Sequence, residues 1–310
     1  MSARFPEPDR NGADPPAEPP AAQPDGTPGV HLEHATQSAT ELRNDASDMV
    51  VASPASCCAD VYGSDLVTLL LGDSYHPGGL TLTRRLARLL GLRRDEHVLD
   101  LACGRGSTAL LLAEEFGVRV SGLDLSAANV ALAQGRLTTA ERARRISFAL
   151  ADAEQLPHPD ATFDAIVIEC ALCTFTDKAR AVTEMMRVLR PGGRLGLTDV
   201  VAEPDQLPPE LTTVAARIAC VAGALPMRGY CDVLETAGLQ VRRIERHDLA
   251  FFRMLDQIEA RLALARLTAR TQAKQLGLDL DRAGPVMTAA RVAASTGTIG
   301  YGLLVAERPA

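Results

Sequence analysis

The chain has 310 residues, of which 46% are hydrophobic and 23% charged, so it can bury one large core or two modest ones. A formal net charge of −7 argues against a broad nucleic-acid-binding surface, and no run of about 18 apolar residues is present to cross a bilayer. The N-terminus lacks the basic-then-apolar order of a signal peptide, which favours a cytoplasmic protein. We therefore expect neither nucleic acid nor membrane as a partner.

The first 48 residues differ in composition from the rest of the chain. Eight prolines fall between Pro6 and Pro28, and nine acidic residues against three arginines give residues 1–48 a net charge of −6. This stretch shows no apolar periodicity and has little to bury, which predicts a disordered tail. The remaining residues carry a net charge of only about −1, since the whole chain carries −7.

Beyond the tail, the hydrophobic periodicity alternates between helix and strand. In chain order it predicts a helix over 80–90, a strand over 98–101, a helix over 108–116, a strand over 118–123, a helix over 127–134, strands over 146–150 and 163–169, a helix over 179–189, and strands over 194–198, 241–244 and 300–305. An amphipathic helix over 253–270 carries both charge signs. This alternation predicts a doubly wound, mostly parallel α/β sheet whose last strand is antiparallel.

A glycine-rich turn joins the first predicted strand to its helix. Asp100 lies near the end of the strand, and Gly104 and Gly106 allow the backbone to approach a ligand at a helix N-terminus. The third glycine of the dinucleotide-binding fingerprint is missing. Asp124 lies twenty residues beyond Gly104 at the tip of the next strand, where a carboxylate can accept both hydroxyls of a ribose.

The order and spacing of these motifs resemble the class I S-adenosylmethionine-dependent methyltransferases. The resemblance covers about residues 80–199 and rests on the segments VLDLACGRG, GLDLS, ADAEQLP, FDAI and RVLRPGGRL. It implies a seven-stranded sheet with S-adenosylmethionine bound above the strand ends. It also implies a lid or helical segment over 49–90 and a methyltransferase domain over 91–310, with a helical insertion beside the acceptor at about 203–235.

The resemblance implies a role for individual residues. The methionine part of the cofactor would be surrounded by Asp100, Gly104 and Gly106, the ribose held by Asp124, and the adenine held by Asp152 and Ala153. Ala102, Leu125 and Glu169 complete the expected cofactor-binding set. His76 is open to two interpretations, either a general base or cofactor contact, or a loop histidine that satisfies a neighbouring carbonyl.

The seven cysteines are an odd number in a chain without an export signal, which argues against a disulfide framework. Cys170 and Cys173 follow the fourth strand, at the edge where open α/β sheets bind ligands. Cys220 falls on a predicted helix over 218–224. Cys103 and Cys231 fit small buried hydrophobes. Cys170 and Cys173 could form a zinc site or a redox pair, but no second such pair and no histidine within a few residues accompanies them.

The segment ECALCTFTDK, residues 169–178, resembles the corresponding part of arsenite methyltransferases. Cys170 and Cys220 then take the positions of that family's two acceptor-binding cysteines. Cys57 and Cys58 stand where the family has N-terminal cysteines near a Tyr-Gly motif, and Cys173 is a further candidate ligand. The sequence departs from the family in three ways: Glu169 replaces an Asn, Cys173 is extra, and the N-terminal cysteines are adjacent.

The resemblance implies methyl transfer to trivalent arsenic, a soft ion that prefers thiolate ligands. Three thiolates would leave the arsenic lone pair free to attack the methyl carbon without a general base, and a thiol reductant would be a partner. Two alternatives stay open. The chain could methylate an organic small molecule such as a quinone, sterol or natural product, or it could be a non-catalytic sensor that uses the same pocket.

Overall fold

The computed structural model describes residues 76–212, 220–268 and 283–310. The predicted tail over 1–48 lies outside the described residues, as do residues 49–75 of the predicted lid. Cys57 and Cys58 fall in that region, so their expected ligand role stays a prediction. No helix in the described ranges has both the length and the apolar character to cross a membrane.

Seven strands form a single sheet in the order β3-β2-β1-β4-β5-β7-β6. The strands are β1 (His97–Leu101), β2 (Arg119–Asp124), β3 (Ile146–Leu150), β4 (Phe163–Glu169), β5 (Leu189–Ala202), β6 (Gln240–Arg246) and β7 (Ile299–Glu307). Neighbours among β1 to β5 pair in parallel, and β7 is antiparallel to both β5 and β6. The predicted doubly wound, mostly parallel sheet with an antiparallel last strand is confirmed.

The described residues form eight α-helices, which connect the strands or extend the loops between them. They are α1 (Gly79–Leu89), α2 (Ser107–Phe116), α3 (Ala127–Gly135), α4 (Ala140–Arg145), α5 (Lys178–Val188), α6 (Met227–Thr236), α7 (Asp248–Thr268) and α8 (Ala283–Ser295). Side-chain caps fix two predicted helix starts: Ser126 accepts a hydrogen bond from the Asn129 amide, and Asp177 accepts one from Arg180. The sequence pattern predicted neither the short helix α4 nor helix α8.

Two hydrophobic cores lie on opposite faces of the sheet, because successive strand residues point to opposite sides. On β1, Val98 belongs to the first core, with the apolar faces of α1, α2, α7 and α8, whereas Leu99 belongs to the second, with α5 and α6. On β4, Val167 and Ile168 divide in the same way. The helices therefore cover both faces, and the ends of the strands are left for the site.

One predicted strand boundary and one predicted helix are wrong. Strand β5 begins at Leu189 instead of Arg194, because the backbone at Gly192 and Gly193 exchanges hydrogen bonds of 2.9 and 2.8 Å with Arg308 and so continues the strand. Residues 220–224 form turns rather than the predicted helix. Cys220 has a φ of 65°, which a right-handed helix does not accommodate.

Candidate active site

Three carboxylates meet at the carboxyl ends of β1, β2 and β4. These residues, Asp100, Asp124 and Glu169, form the carboxylate cluster, and all three side chains are buried. Burial raises the pKa of Asp100 well above its usual value, and the nearby negative charges of Glu169 and Asp124 raise it further. A hydrogen bond from the Ala109 amide, in the first turn of α2, opposes this shift.

The turn between β1 and α2 brings backbone amides to the carboxylate cluster. Ala102, Gly104 and Gly106 have φ values of 58°, 52° and 76°, so the chain turns through three left-handed positions. The Gly104 amide donates a hydrogen bond of 2.8 Å to Asp124 Oδ2. Gly106 also has no room for a side chain, since a Cβ there would lie 2.5 Å from the Phe148 ring.

Asp124 is held by three donors of its own chain. Its Oδ1 accepts hydrogen bonds from the Ser126 amide at 2.9 Å and from Asn129 Nδ2 at 3.1 Å, and its Oδ2 accepts the Gly104 amide. A carboxylate offers about four acceptor positions, so one remains on Oδ2. Burial raises the pKa of Asp124, and these hydrogen bonds lower it in part. We therefore expect Asp124 to accept one ribose hydroxyl directly, rather than two.

These residues fit a ligand that carries positive charge. Asp100 Oδ2 is buried and has no hydrogen-bond partner, which is costly unless a ligand supplies one. The adjoining strand ends carry the other predicted contacts: Leu125 is partly exposed after β2, and Asp152 and Ala153 follow β3. Asp152 is exposed, and its Oδ1 accepts a hydrogen bond of 2.8 Å from the Glu154 amide within the turn.

His76 lies beside the carboxylate cluster. Its Nε2 is 3.6 Å from Glu169 Oε2 and 3.5 Å from Thr83 Oγ1, and its Nδ1 is 3.4 Å from the Pro77 carbonyl oxygen. Glu169 accepts hydrogen bonds from the hydroxyls of Thr83, at 3.0 Å, and Thr108, at 2.7 Å. Both interpretations of His76 from the sequence therefore have a contact to support them.

Sequence reasoning missed both threonines. Thr83 is fully buried on the apolar face of α1, among Leu82, Leu86 and Ala87. A hydroxyl on such a face has to find a hydrogen-bond partner, so its position was a usable signal. The sequence could not identify that partner, because Glu169 lies 86 residues away in the chain.

Three cysteines from two segments of the chain also meet at this edge, and we call Cys170, Cys173 and Cys220 the thiol cluster. The Cys220 thiol hydrogen-bonds with the other two thiols and lies 3.5 Å from the Cys170 carbonyl oxygen. Gly223 permits this approach, since a Cβ there would lie 2.2 Å from the Cys173 carbonyl oxygen. The contact with Cys220, followed by burial, raises the pKa of Cys170 well above its usual value, and burial does the same for Cys173.

The thiol cluster is not arranged like a metal site. Within the described ranges, no group of three or more His, Cys, Asp or Glu residues is placed to hold a metal ion. The five cysteines in these ranges are all free. Cys103 and Cys231 are 8% and 3% exposed and belong to the hydrophobic cores, which confirms them as small buried side chains.

Asp199 lies on β5 next to the thiol cluster and is completely buried. Its oxygens accept hydrogen bonds from the Cys173 amide at 2.9 Å and the Val200 amide at 2.8 Å. Burial, and next the proximity of Cys220, raises the pKa of Asp199 to about 7. The sequence pattern did not single out Asp199, because it directly follows the predicted strand over 194–198, where an acidic residue can equally point to solvent.

Comparison with known proteins gives a consistent family. Residues 99–197 match the family model described as a methyltransferase domain. The chain is 33% identical over 198 residues to 27-O-demethylrifamycin SV methyltransferase of Amycolatopsis mediterranei, covering 59% of this chain and 72% of that protein. It is 42% identical over 117 residues to demethylmenaquinone methyltransferase of Lactiplantibacillus plantarum, covering 37% of this chain and 49% of that protein.

The fold is also that of a solved methyltransferase structure. Phosphoethanolamine N-methyltransferase 2 of Haemonchus contortus, in complex with S-adenosyl-L-methionine, superposes with a TM-score of 0.64 at 17% identity. The match covers 82% of this chain and 58% of that one. At this identity the match supports the fold alone.

The buried carboxylate of Asp199 predicts a pH-dependent stability. In the unfolded chain Asp199 ionises near its usual pKa of 3.8, but in the folded chain near 7. Between these values only the unfolded chain carries the charge, so rising pH favours unfolding until about pH 7, above which the effect is constant. We compare the free energy of unfolding of Asp199→Asn with that of the natural chain. We expect the difference, in favour of the variant, to increase by on the order of 4 kcal/mol from pH 4 to pH 8.

Urea denaturation at a series of pH values measures this difference in the free energy of unfolding. The control is Asp232→Asn, whose carboxylate on α6 is half exposed and paired with Arg228. Its free energy of unfolding should stay within about 1 kcal/mol of that of the natural chain, because an exposed ion pair contributes little. A difference for Asp199→Asn that does not change with pH would show that Asp199 is ionised in the folded chain at all these pH values.

Proposed function

Because this chain belongs to the class I S-adenosylmethionine-dependent methyltransferases, we propose that it methylates a hydroxyl group on an organic small molecule. S-adenosylmethionine is the cofactor of this family and of this chain. Relatives whose names designate a rifamycin and a menaquinone precursor support an organic acceptor. The observation that carries the proposal is the His76–Glu169 pair beside the carboxylate cluster.

The carboxylate cluster and its turn would hold the cofactor, which supplies a methyl group on a cationic sulfur when bound. Asp100 would use its unpartnered Oδ2, and the turn that contains Ala102, Gly104 and Gly106 would line the methionine part. Asp124 would accept a ribose hydroxyl at its remaining position on Oδ2. Leu125, Asp152 and Ala153 would border the adenine. The buried negative charge stabilises a cation more strongly than the same charge in water would.

A hydroxyl acceptor has to lose its proton as its oxygen is methylated, and His76 can take that proton. In the tautomer with its proton on Nδ1, that proton can be donated to the Pro77 carbonyl oxygen, 3.4 Å away, and the lone pair lies on Nε2. No short hydrogen bond occupies Nε2, since its contacts with Thr83 and Glu169 are 3.5 and 3.6 Å long. Once Nε2 is protonated, the Glu169 carboxylate stabilises the imidazolium.

Glu169 is also fixed for this role. The hydroxyls of Thr83 and Thr108 donate to its oxygens, so the carboxylate cannot rotate freely away from His76. Glu169 thereby acts as a positioning residue for His76, in addition to its negative charge beside the cofactor site. General bases of this kind contribute on the order of 10²- to 10⁴-fold in rate.

One prediction from this proposal concerns the affinity for the cofactor. In Asp124→Asn, an NH₂ group takes the place of Oδ2. It cannot accept the hydrogen bond from the Gly104 amide, and it offers no acceptor position to the ribose. We expect affinity for S-adenosylhomocysteine, measured by calorimetry, to fall by about tenfold or more. Asp232→Asn, on the surface of α6, is the matched control and should bind as the natural chain does. Unchanged affinity in Asp124→Asn would remove Asp124 from the site.

The second prediction concerns the base. His76→Gln should lower kcat for phenol and quinol acceptors by about 10²- to 10⁴-fold. Affinity for S-adenosylhomocysteine should change little, because the carboxylate cluster stays intact. The defect should shrink for acidic phenols, which are already deprotonated and need no base. Steady-state kinetics across a series of phenols of graded acidity measures this trend.

The control for this experiment is His97→Gln. His97 lies at the amino end of β1, and its Nε2 is 2.9 Å from Ser121 Oγ rather than near the carboxylate cluster. It should keep nearly full kcat. If His76→Gln lost activity equally for all phenols, His76 would have a structural role and the base would have to be another group.

A second candidate function is methylation of trivalent arsenic, and the thiol cluster is the observation that favours it. Cys170 and Cys220 approach each other from positions 50 residues apart, and Cys173 joins them. Thiols are the preferred ligands of this soft ion. Two features weigh against the candidate. The pKa values of Cys170 and Cys173 are raised, so these thiols are protonated at rest, and no group of three ligating residues in the described ranges is placed to hold a metal ion.

Arsenite with glutathione as the thiol reductant separates the two functions. We expect methyl transfer from labelled S-adenosylmethionine to organic hydroxyls but no methylated arsenic by chromatography with mass detection. Cys170→Ser and Cys220→Ser should keep both cofactor affinity and phenol turnover. Methylarsenic products that disappear in both serine variants would instead establish arsenic as the substrate, and the organic proposal would be abandoned.

A further inference from the structure

A second groove opens beside the candidate active site, between α1 and α7. It has a volume of about 860 Å³, within the usual range for a small-molecule site. Five arginines line it, which are Arg85, Arg88, Arg246, Arg253 and Arg261. Asp248 is the acidic residue among the lining side chains. We call this feature the arginine groove, and neither the cofactor site nor the proposed base accounts for its charge.

Two of these arginines are neutralised by neighbouring carboxylates. Arg85 forms a two-pronged ion pair with Glu245, with hydrogen bonds of 2.6 and 2.7 Å, and Arg246 pairs with Asp248 at 3.0 Å. Arg88 and Arg253 form no ion pair with any described carboxylate, and both are exposed. The groove therefore keeps at least two guanidinium groups available to an anion.

The helical spacing arranges these side chains in two rows. Arg85 and Arg88 are three residues apart on α1 and so share one face of that helix. On α7, Arg253, Gln257 and Arg261 follow at intervals of four residues and also share a face. The second row extends about 12 Å along the helix axis. Guanidinium groups are well suited to phosphate and carboxylate, since they donate two parallel hydrogen bonds.

His76 connects the arginine groove to the chemistry. Its side chain lines the groove, and its Nε2 is 3.6 Å from Glu169 in the carboxylate cluster. The sheet topology agrees: β6 lies antiparallel to β7, which is antiparallel to β5, so β6 ends at the same edge as β4 and β5. Helix α7 starts directly after β6 and therefore begins at that edge.

We infer that the arginine groove binds an anionic group, a phosphate or a carboxylate, on the methyl acceptor. Arg88 and Arg253 hold that group, and the acceptor hydroxyl reaches His76 at the end of the groove. This inference rests on the proposed function for the identity of the acceptor, but not for the binding of the anion itself.

The test is calorimetric titration of the full chain with inorganic pyrophosphate and, separately, with succinate, at constant ionic strength. We expect saturable binding of at least one probe. The probe that binds more tightly tells whether the acceptor carries a phosphate or a carboxylate. The double variant Arg88→Gln/Arg253→Gln should weaken that binding about tenfold or more. The matched control Arg93→Gln/Arg144→Gln removes two exposed arginines outside the groove and should bind within about twofold of the natural chain.

Failure of this inference can be told apart from failure of the proposed function. If the natural chain binds neither probe, or both double variants weaken binding equally, the arginine groove is not an anion site. The bound probe should also compete with a phenol acceptor in the methylation assay, and binding without competition would separate the groove from the acceptor site. If the probe binds as expected but no hydroxyl is methylated, the anion site stands and the hydroxyl acceptor is wrong.

Discussion

The burial of three carboxylates at one edge of the sheet is the constraint on which the rest of the site depends. Burial, and next the repulsion from Glu169, raises the pKa of Asp100, and this shift is the sign of the cost of placing them there. The chain offsets the cost with donors: backbone amides for Asp124, and the hydroxyls of Thr83 and Thr108 for Glu169. A cationic cofactor would offset the remaining repulsion, so the charges that cost stability on folding favour its binding.

The backbone bears a related cost at the same edge. Five non-glycine residues in the described ranges have positive φ, and three of them, Ala102, Cys170 and Cys220, lie at the turn or in the thiol cluster. Such conformations cost on the order of 1–3 kcal/mol each and persist only where surrounding contacts impose them. Here those contacts are the Gly104 amide on Asp124, the Asp199 carboxylate on the Cys173 amide, and the close packing of Gly223.

Local sequence signals predicted the fold well because the elements are fixed locally. The apolar runs of β1 and β4, the Ser126 cap and the glycine turn at Gly104 each depend on a few neighbouring residues. The site depends on long-range contacts that leave no periodic signal. Cys173 with Asp199, and Thr83 with Glu169, are joined only by the folded sheet. The resemblance predicted S-adenosylmethionine as the cofactor from the motifs, whereas it predicted arsenic as the acceptor from the cysteines alone.

The charges of the two sites together orient an acceptor. The carboxylate cluster repels an anion, whereas Arg88 and Arg253 attract one, so an acceptor with a single anionic group is stabilised in one direction only. Its anion lies in the arginine groove, and its neutral hydroxyl points toward Glu169 and His76. An arsenic species bound at the thiol cluster gains nothing from this arrangement. The separation of charge between α7 and the strand ends is therefore better explained by an organic acceptor with one charged and one neutral end.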